Sequence, residues 1–290
     1  MGAVMLKQPT THKQQIEILR ERGCVISDEK HCAAVLSQVS YYSLSAYFLP
    51  FKTKDGRYTT GTEFHKIYQL FEFDRRLRHL LFSAIEEIEV FLRASLSYFH
   101  AHKYGADGYK NAMIYNSRHD HEQFTNRIKD MLCKNKKVPF VKHHAVNYDN
   151  QFPIWVLMEL FTFGMLSYFY ADFITSDQKT FARNTYNTVP QNVKSWLYCC
   201  TDLRNLCAHY GRLYYRVFTA VPTNIKCLDD DSKRSLFGAV MALRALYPND
   251  DKWNTDILAS IATLIEDYTD IINLKHIGFP YNWEDIMVKK

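Results

Sequence analysis

From Thr62 to about Tyr104 the chain repeats apolar residues every three or four positions: Ile67, Leu70, Leu77, Leu81, Ile85, Ile88, Leu92, Leu96 and Phe99. That period matches the helical turn, so these side chains form one continuous stripe. A sheet protein has no place for an element of such length, because strand residues alternate every second position. The pattern predicts either one helix forming the spine of the fold or two in series with a kink, stopped at Gly105.

The flanking segments are also helical in pattern. Thr10 or Thr11 caps a helix that runs to Gly23, and Ser27-Asp28 starts a second. The aromatic block YYSLSAYFLPF at 41–51 ends at Pro50. Lys54-Asp55-Gly56-Arg57 signals a turn, the tip of a short hairpin near 50–60. Further helices are expected at 118–133, 153–171, 177–187, 190–209, 231–246 and 253–273, with Pro153 and Pro190 where a first turn tolerates proline. Only 10 Gly and 8 Pro in 290 residues favour long regular elements, and the expected class is all-α.

The side chains that carry chemistry concentrate in RNLCAHYGRLYYR, where Arg204, Asn205 and His209 fall within six residues. Arginine holds phosphoryl oxygens with a planar fork of donors, and histidine transfers protons in both directions near neutral pH. The bare spacing is weak: with 15 Arg and 12 His in 290 residues, chance supplies such a pair about 0.6 times. Context decides. Val193, Trp196, Leu197, Cys200 and Leu203 form an apolar stripe that ends just before Arg204. Asn205 and His209 are four apart and share a helix face, while Arg204 sits about 100° away with a side chain long enough to converge on them. The looser pair Arg93 and His100 lacks this support.

Blander roles stay open for each. His209 suits a helix C-terminal cap, and Arg204 suits an ion pair with Asp202 or Glu89. Glu86, Glu89 and Arg93 have the spacing of an intrahelical ion-pair ladder. The basic stretch CKNKKVPFVKHH at 133–144 reads as a loop, either a solvated linker or a phosphate-contacting segment through Lys134, Lys136, Lys137 and Lys142. Cys207 reads as a buried thiol.

Composition excludes other classes. Hydrophobic residues at 47%, with 19 Phe and 20 Tyr, exclude a disordered chain. A net charge of +5 is compatible with a nucleic-acid partner without demanding one. The cysteines at 24, 32, 133, 199, 200, 207 and 227 show no C-x-x-C spacing, which points to a reduced, cytoplasmic protein. The segment MGAVMLKQPTTHK has no signal-peptide core, and Leu6 stands where a myristoylation motif wants Ser or Thr. No window approaches the roughly 18 apolar residues of a membrane span, so no membrane partner is expected. The pairs His100/His102, His119/His121 and His143/His144 lack a cysteine or carboxylate at zinc spacing, and no glycine-rich phosphate loop is present. Neither a metal nor a cofactor is expected.

Five blocks in order resemble the Abi family of bacterial abortive-infection proteins, the AbiD/AbiF-like group within the HEPN superfamily of helical RNA-directed toxins: YYSLSAYFLPF, LFEFDRRLRHLLFSAIEEIEVFLRASLSY, PIWVLMELFTFGMLS, RNLCAHYGRLYYR and GFPYNW. The resemblance covers residues 10–283. It implies a HEPN-like helical bundle with a core at 62–273 and an N-terminal helical extension at 10–60. Arg204, Asn205 and His209 match the superfamily's Arg-x4-His motif, whereas Tyr214-Tyr215-Arg216 departs from the aromatic-Asn-Arg ending of many relatives. It also implies restraint of the toxin, in some relatives by a small structured RNA, and pairing of two motifs across a two-fold axis.

RNA carries its own nucleophile, the 2′-hydroxyl, so these residue types suffice for cleavage without a metal. His209 is the expected general acid/base, Arg204 the clamp on phosphoryl oxygens, and Asn205 the orienting group. Arg212, Glu89 and Arg93 are supporting candidates, and Arg216 joins the lysines as an RNA contact. The leading expectation is a metal-independent endoribonuclease toxin acting as a homodimer. A non-catalytic RNA-binding module and a helical scaffold are the alternatives.

Overall fold

A computed structural model describes residues 8–225 and 229–289; Leu6 and Cys227 lie outside them. Helices dominate, and among the described residues strand pairing is limited to isolated bridges. The fold is all-α.

The chain divides into two compact units, one comprising the segment through Arg78 with Ile261–Asn273, the other His79–Ser260 with the segment from Leu274. In the first unit, α1 (His12–Glu21) opens with a reciprocal cap. The Gln14 N–H donates to Thr11 Oγ1 at 3.3 Å, and the Thr11 N–H donates to Gln14 Oε1 at 2.8 Å. Asp28 caps α2 (Glu29–Gln38), and α3 (Tyr41–Phe48) runs into a tight turn at Leu49–Phe51 that holds Pro50. The hairpin at 50–60 reduces to one antiparallel bridge, Lys52 to Tyr58, turned by Gly56 at φ 86°. The aromatic block has a packing role. Tyr47 donates to Asp74 at 2.6 Å in the buried interior, and Arg78 pairs with the same carboxylate at 2.8 Å.

The long periodic segment is a single helix, α4 (Phe64–Tyr104), and Gly105 at φ 83° ends it. Its continuity settles the choice between one helix and two. The stripe from Leu81 through Leu96 is buried, and packing along that side stabilises the helix.

The second unit continues with α5 (His121–Lys134), α6 (Pro139–Asn147), α7 (Ile154–Met158), α8 (Phe163–Asp172), α9 (Thr175–Tyr186) and α10 (Pro190–Ala208). Then come α11 (Asp230–Lys233), α12 (Leu236–Leu246) and α13 (Asp250–Lys252). A π-helical turn, Trp253–Leu258, leads into α14 (Ala259–Asp267), which belongs to the first unit from Ile261 onward, and α15 (Trp283–Met287) belongs to the second. Three expectations need correction. The stretch read as a loop at 133–144 is helical from Pro139, because Pro139 takes a first-turn position and Val141 is buried. The segment at 153–171 is two helices, because Thr162 adopts an extended conformation and caps α8 by accepting from the Met165 N–H at 3.3 Å. The segment at 231–246 breaks at Ser235, where the backbone is extended. Gly238 is required just beyond, since a Cβ there would lie 2.3 Å from the Lys233 carbonyl oxygen.

Helix α10 packs against α8, α9 and α12. Its buried side is Val193, Trp196, Leu197, Cys200, Leu203 and Cys207, which leaves the opposite side to carry polar groups.

Candidate functional site

The polar cluster sits at the C-terminal end of α10, and the chain reverses directly after it. His209 is the C-terminal cap, its backbone N–H donating to the Asn205 carbonyl at 3.0 Å. The Gly211 N–H donates to the Leu206 carbonyl at 2.8 Å and the Tyr210 N–H to Cys207 at 3.4 Å, the paired bonds of a Schellman end. The left-handed position of this motif is normally glycine; here it is Tyr210 at φ 56°. Such a residue costs about 1–2 kcal/mol. A Cβ at Gly211 would meet Leu206 Cδ2 at 2.7 Å, so the Leu206 side chain would have to shift to admit one. The turn leaves Asn205 and His209 exposed on one helix face, with Tyr210 projecting beyond them at 80% exposure.

Arg204 lies half-buried, its guanidinium carbon 6.0 Å from the centroid of the Phe82 ring on α4. Its Nε is buried with no hydrogen-bond partner, and among the described residues it forms no ion pair. Asp202 Oδ2, two residues away, is likewise buried and unpartnered. Neither Asp202 nor Glu89 neutralises Arg204, so that alternative falls. Buried polar atoms without hydrogen-bond partners are few in folded proteins.

The supporting candidates have other engagements. Glu89 and Arg93 form the ion pair expected of their spacing, and Arg93 also donates to the Phe161 carbonyl at 3.0 Å. Arg212 is half-buried just past the turn, and Arg216 is exposed. Lys134, Lys136, Lys137 and Lys142 are all exposed where α5 gives way to α6, without an ion pair among the described residues. Tyr214 is core, its hydroxyl 3.2 Å from His276 Nδ1, while the Tyr215 ring lies 4.3 Å from the His276 ring. Burial lowers the His276 pKa and raises that of Tyr215. The GFPYNW block is structural: Gly278 has φ 75°, and the Phe279 ring packs 4.7 Å from Phe237.

Burial pushes the Cys199 thiol up to about 12, and Cys200 is raised well above its ordinary range for the same reason. Neither is an activated nucleophile. Among the described residues no three His, Cys, Asp or Glu side chains gather as a metal cluster would, and no helix is long and apolar enough to cross a membrane. The six described cysteines are free.

The sequence pattern of the family described as Abi-like protein matches residues 34–215, well over half of the chain and all of α10 with its terminal turn. The chain belongs to the Abi-like protein family. No curated protein and no solved structure matches it. Abi-like proteins are linked to abortive infection. The matched span of this Abi-like protein takes in Arg204, Asn205, His209 and Arg212, and stops just before Arg216.

Phe82 is the site residue that sequence reading missed. Its place beneath Arg204 depends on tertiary packing, and the apolar period of α4 runs past it.

Proposed function

We propose that this Abi-like protein is a metal-independent endoribonuclease toxin of abortive infection. The 2′-oxygen of the substrate attacks the adjacent phosphorus, the bond from phosphorus to the 5′-oxygen breaks, and a 2′,3′-cyclic phosphate forms. The 2′-hydroxyl proton passes to a base, and the departing 5′-oxygen takes a proton to become a hydroxyl. His209 performs proton transfer, and Arg204 stabilises the charge that develops on the non-bridging oxygens. Asn205, one helical turn before His209, orients the imidazole or the phosphate. Glu89 and Arg93 act as positioning residues, and Arg212 supports the turn.

One observation carries this reading: a half-buried arginine, its Nε unpartnered and without an ion pair among the described residues, precedes by five residues an exposed histidine at the end of a strained helix turn. Such a constellation supplies donors to an anion and a proton carrier to the same group.

One imidazole serves poorly as base and acid in a single in-line displacement, because the entering and leaving oxygens lie on opposite sides of phosphorus. A homodimer that brings two copies of the motif to one cleft meets this need. The exposed Phe82 and Tyr210 around the motif favour such an assembly. RNA is the proposed substrate, with a small structured RNA as the proposed restraint.

The test is substitution of Arg204→Ala and His209→Ala. Each lowers RNA cleavage at least about 100-fold. Neither lowers unfolding free energy by more than about 1 kcal/mol, since exposed or half-buried groups are lost without opening the core. Cleavage assays on labelled RNA and thermal unfolding read the two quantities. Undiminished cutting by both variants overturns the assignment, and retained RNA affinity without cutting in the wild type selects a binding module instead.

A further inference from the structure

Three cations without a carboxylate partner converge on one cleft of the second unit. It is open, has a volume of about 740 Å³, and is bounded by the start of α5, the flank of α8, the first turn of α9 and the second turn of α10. Arg118, Arg127 and Lys194 line it, and among the described residues none of them forms an ion pair. The two carboxylates on its wall are already engaged. Asp172 accepts from His119 Nδ1 at 2.8 Å, and Asp120 accepts from the Gln123 N–H at 2.9 Å as the cap of α5.

The wall is held in place from behind. The Asn116 amide donates to the Ala171 and Phe173 carbonyls at 2.8 and 3.1 Å, and the Gln178 amide donates to the same two at 2.7 and 2.8 Å. Phe169 is buried at the floor, while Tyr168 stands 63% exposed at the rim. The Lys194 pKa is lowered, first by burial and then by the charge of Arg118, with Asp172 offsetting only part. Arg118, Arg127 and Lys194 outnumber Asp120 and Asp172 in the lining, so the cleft keeps an excess of positive charge, as an anion site requires.

Position along α10 connects the cleft to the motif. Lys194 and Asn205 are separated by about three helical turns, so they share a face some 16 Å apart along the axis. Exposed Tyr198 and half-buried Thr201 lie between them on that face. A chain of phosphates entering the cleft has a polar and aromatic path to the cutting residues. An isolated nucleotide would gain nothing from that path.

We propose that this cleft holds the sugar-phosphate backbone of single-stranded RNA beside the cutting site, with Arg118, Arg127 and Lys194 on phosphate oxygens and Tyr168 against a base. The identity of the polymer rests on the ribonuclease reading above; the phosphate chemistry of the cleft does not. Cations supply affinity that falls with salt, and an aromatic face supplies stacking that tolerates any base.

The test uses a short fluorescent RNA methylated on every 2′-oxygen, which cannot be cut by 2′-attack. Its affinity is measured by anisotropy across a salt series for the whole protein, for Arg118→Gln with Lys194→Gln, and for Tyr168→Ala. The double variant is expected to bind at least about ten-fold more weakly, with a salt slope smaller by about 1.4, two contacts at roughly 0.7 each. Tyr168→Ala is expected to lose about five-fold or more. Wild-type affinity and slope in the double variant overturn the proposal, as does cleft-dependent binding of AMP that the RNA fails to displace. Should the double variant not fold, Arg127→Gln alone is read against the same criteria. Cutting of unmodified RNA is assayed separately. Cleft-dependent binding by a protein that cuts nothing leaves the cleft standing and removes the ribonuclease, whereas cutting that the cleft variants leave unchanged, with unchanged binding, removes the cleft.

Discussion

Arg204 carries a charge that no residue described in the fold neutralises, and Tyr210 holds a backbone conformation that its side chain disfavours. Both features sit within five residues of His209. Stored strain at a chemically equipped turn is consistent with a local structure kept for function over stability. Tyr210→Gly is therefore expected to raise unfolding free energy by about 0.5–1 kcal/mol, the relief of the left-handed tyrosine less the extra entropy that glycine loses on folding. A urea titration checks it; a fall in midpoint would show that the Tyr210 ring contributes packing despite its 80% exposure. The spacing of Asn205 and His209 was legible in the sequence because two residues four apart on a helix must share a face. The orphaned Nε of Arg204 and its Phe82 partner were not, since each depends on how α4 and α10 approach one another.

Among the elements, α4 shows best what periodicity can and cannot say. A stripe repeated every three or four residues announced the helix, yet continuity through its middle was decided by burial along one side. His100 lay outside that reading. It is fully buried in the last turns of α4, packed against the rings of Tyr104, Phe169 and Phe173, and both ring nitrogens lack partners. Burial lowers its pKa to about 4, and the nearby Asp177, itself bound by Lys103 and Tyr104, only partly opposes this. The unfolded imidazole takes its proton near 6.5, so unfolding is coupled to proton uptake between about 6.5 and 4. Stability from this residue is complete above 6.5 and is lost as pH falls toward 4, by up to about 3 kcal/mol. His100→Phe is expected to flatten that part of the profile. Urea unfolding at pH 7.5 and 4.5 reads the difference, and identical losses in both proteins would contradict the account. The helix at Pro139–Asn147 was missed because its lysines and histidines mask a single buried contact, Val141.

For the whole molecule, few glycines, few prolines and long apolar periods made the all-α class readable in the sequence, and the ordered blocks up to residue 215 made the family readable. Three of the five blocks carry packing devices: the buried set of Tyr47 from the first with Asp74 and Arg78 from the second, and the close turn at Gly278 in the last. The cleft lined by Arg118, Arg127 and Lys194 escaped the sequence because its residues come from separate segments, and only the Lys194 to Asn205 register along α10 was there to be read. Assembly is tested at this scale. A heterodimer of one His209→Ala chain with one wild-type chain is expected to lose most cleavage if two motifs share a cleft; full activity per intact site, or a cutting monomer by light scattering, would show that each chain works alone. The central claim is chemical, and the ends of the RNA products test it most directly. Incubated with labelled RNA in excess chelator, the wild-type protein is expected to leave 2′,3′-cyclic phosphate or 3′-phosphate on one fragment and a 5′-hydroxyl on the other. Fragments ending in 3′-hydroxyl and 5′-phosphate, or cleavage that appears only when a divalent metal is restored, would contradict cutting by Arg204 and His209 through the 2′-hydroxyl.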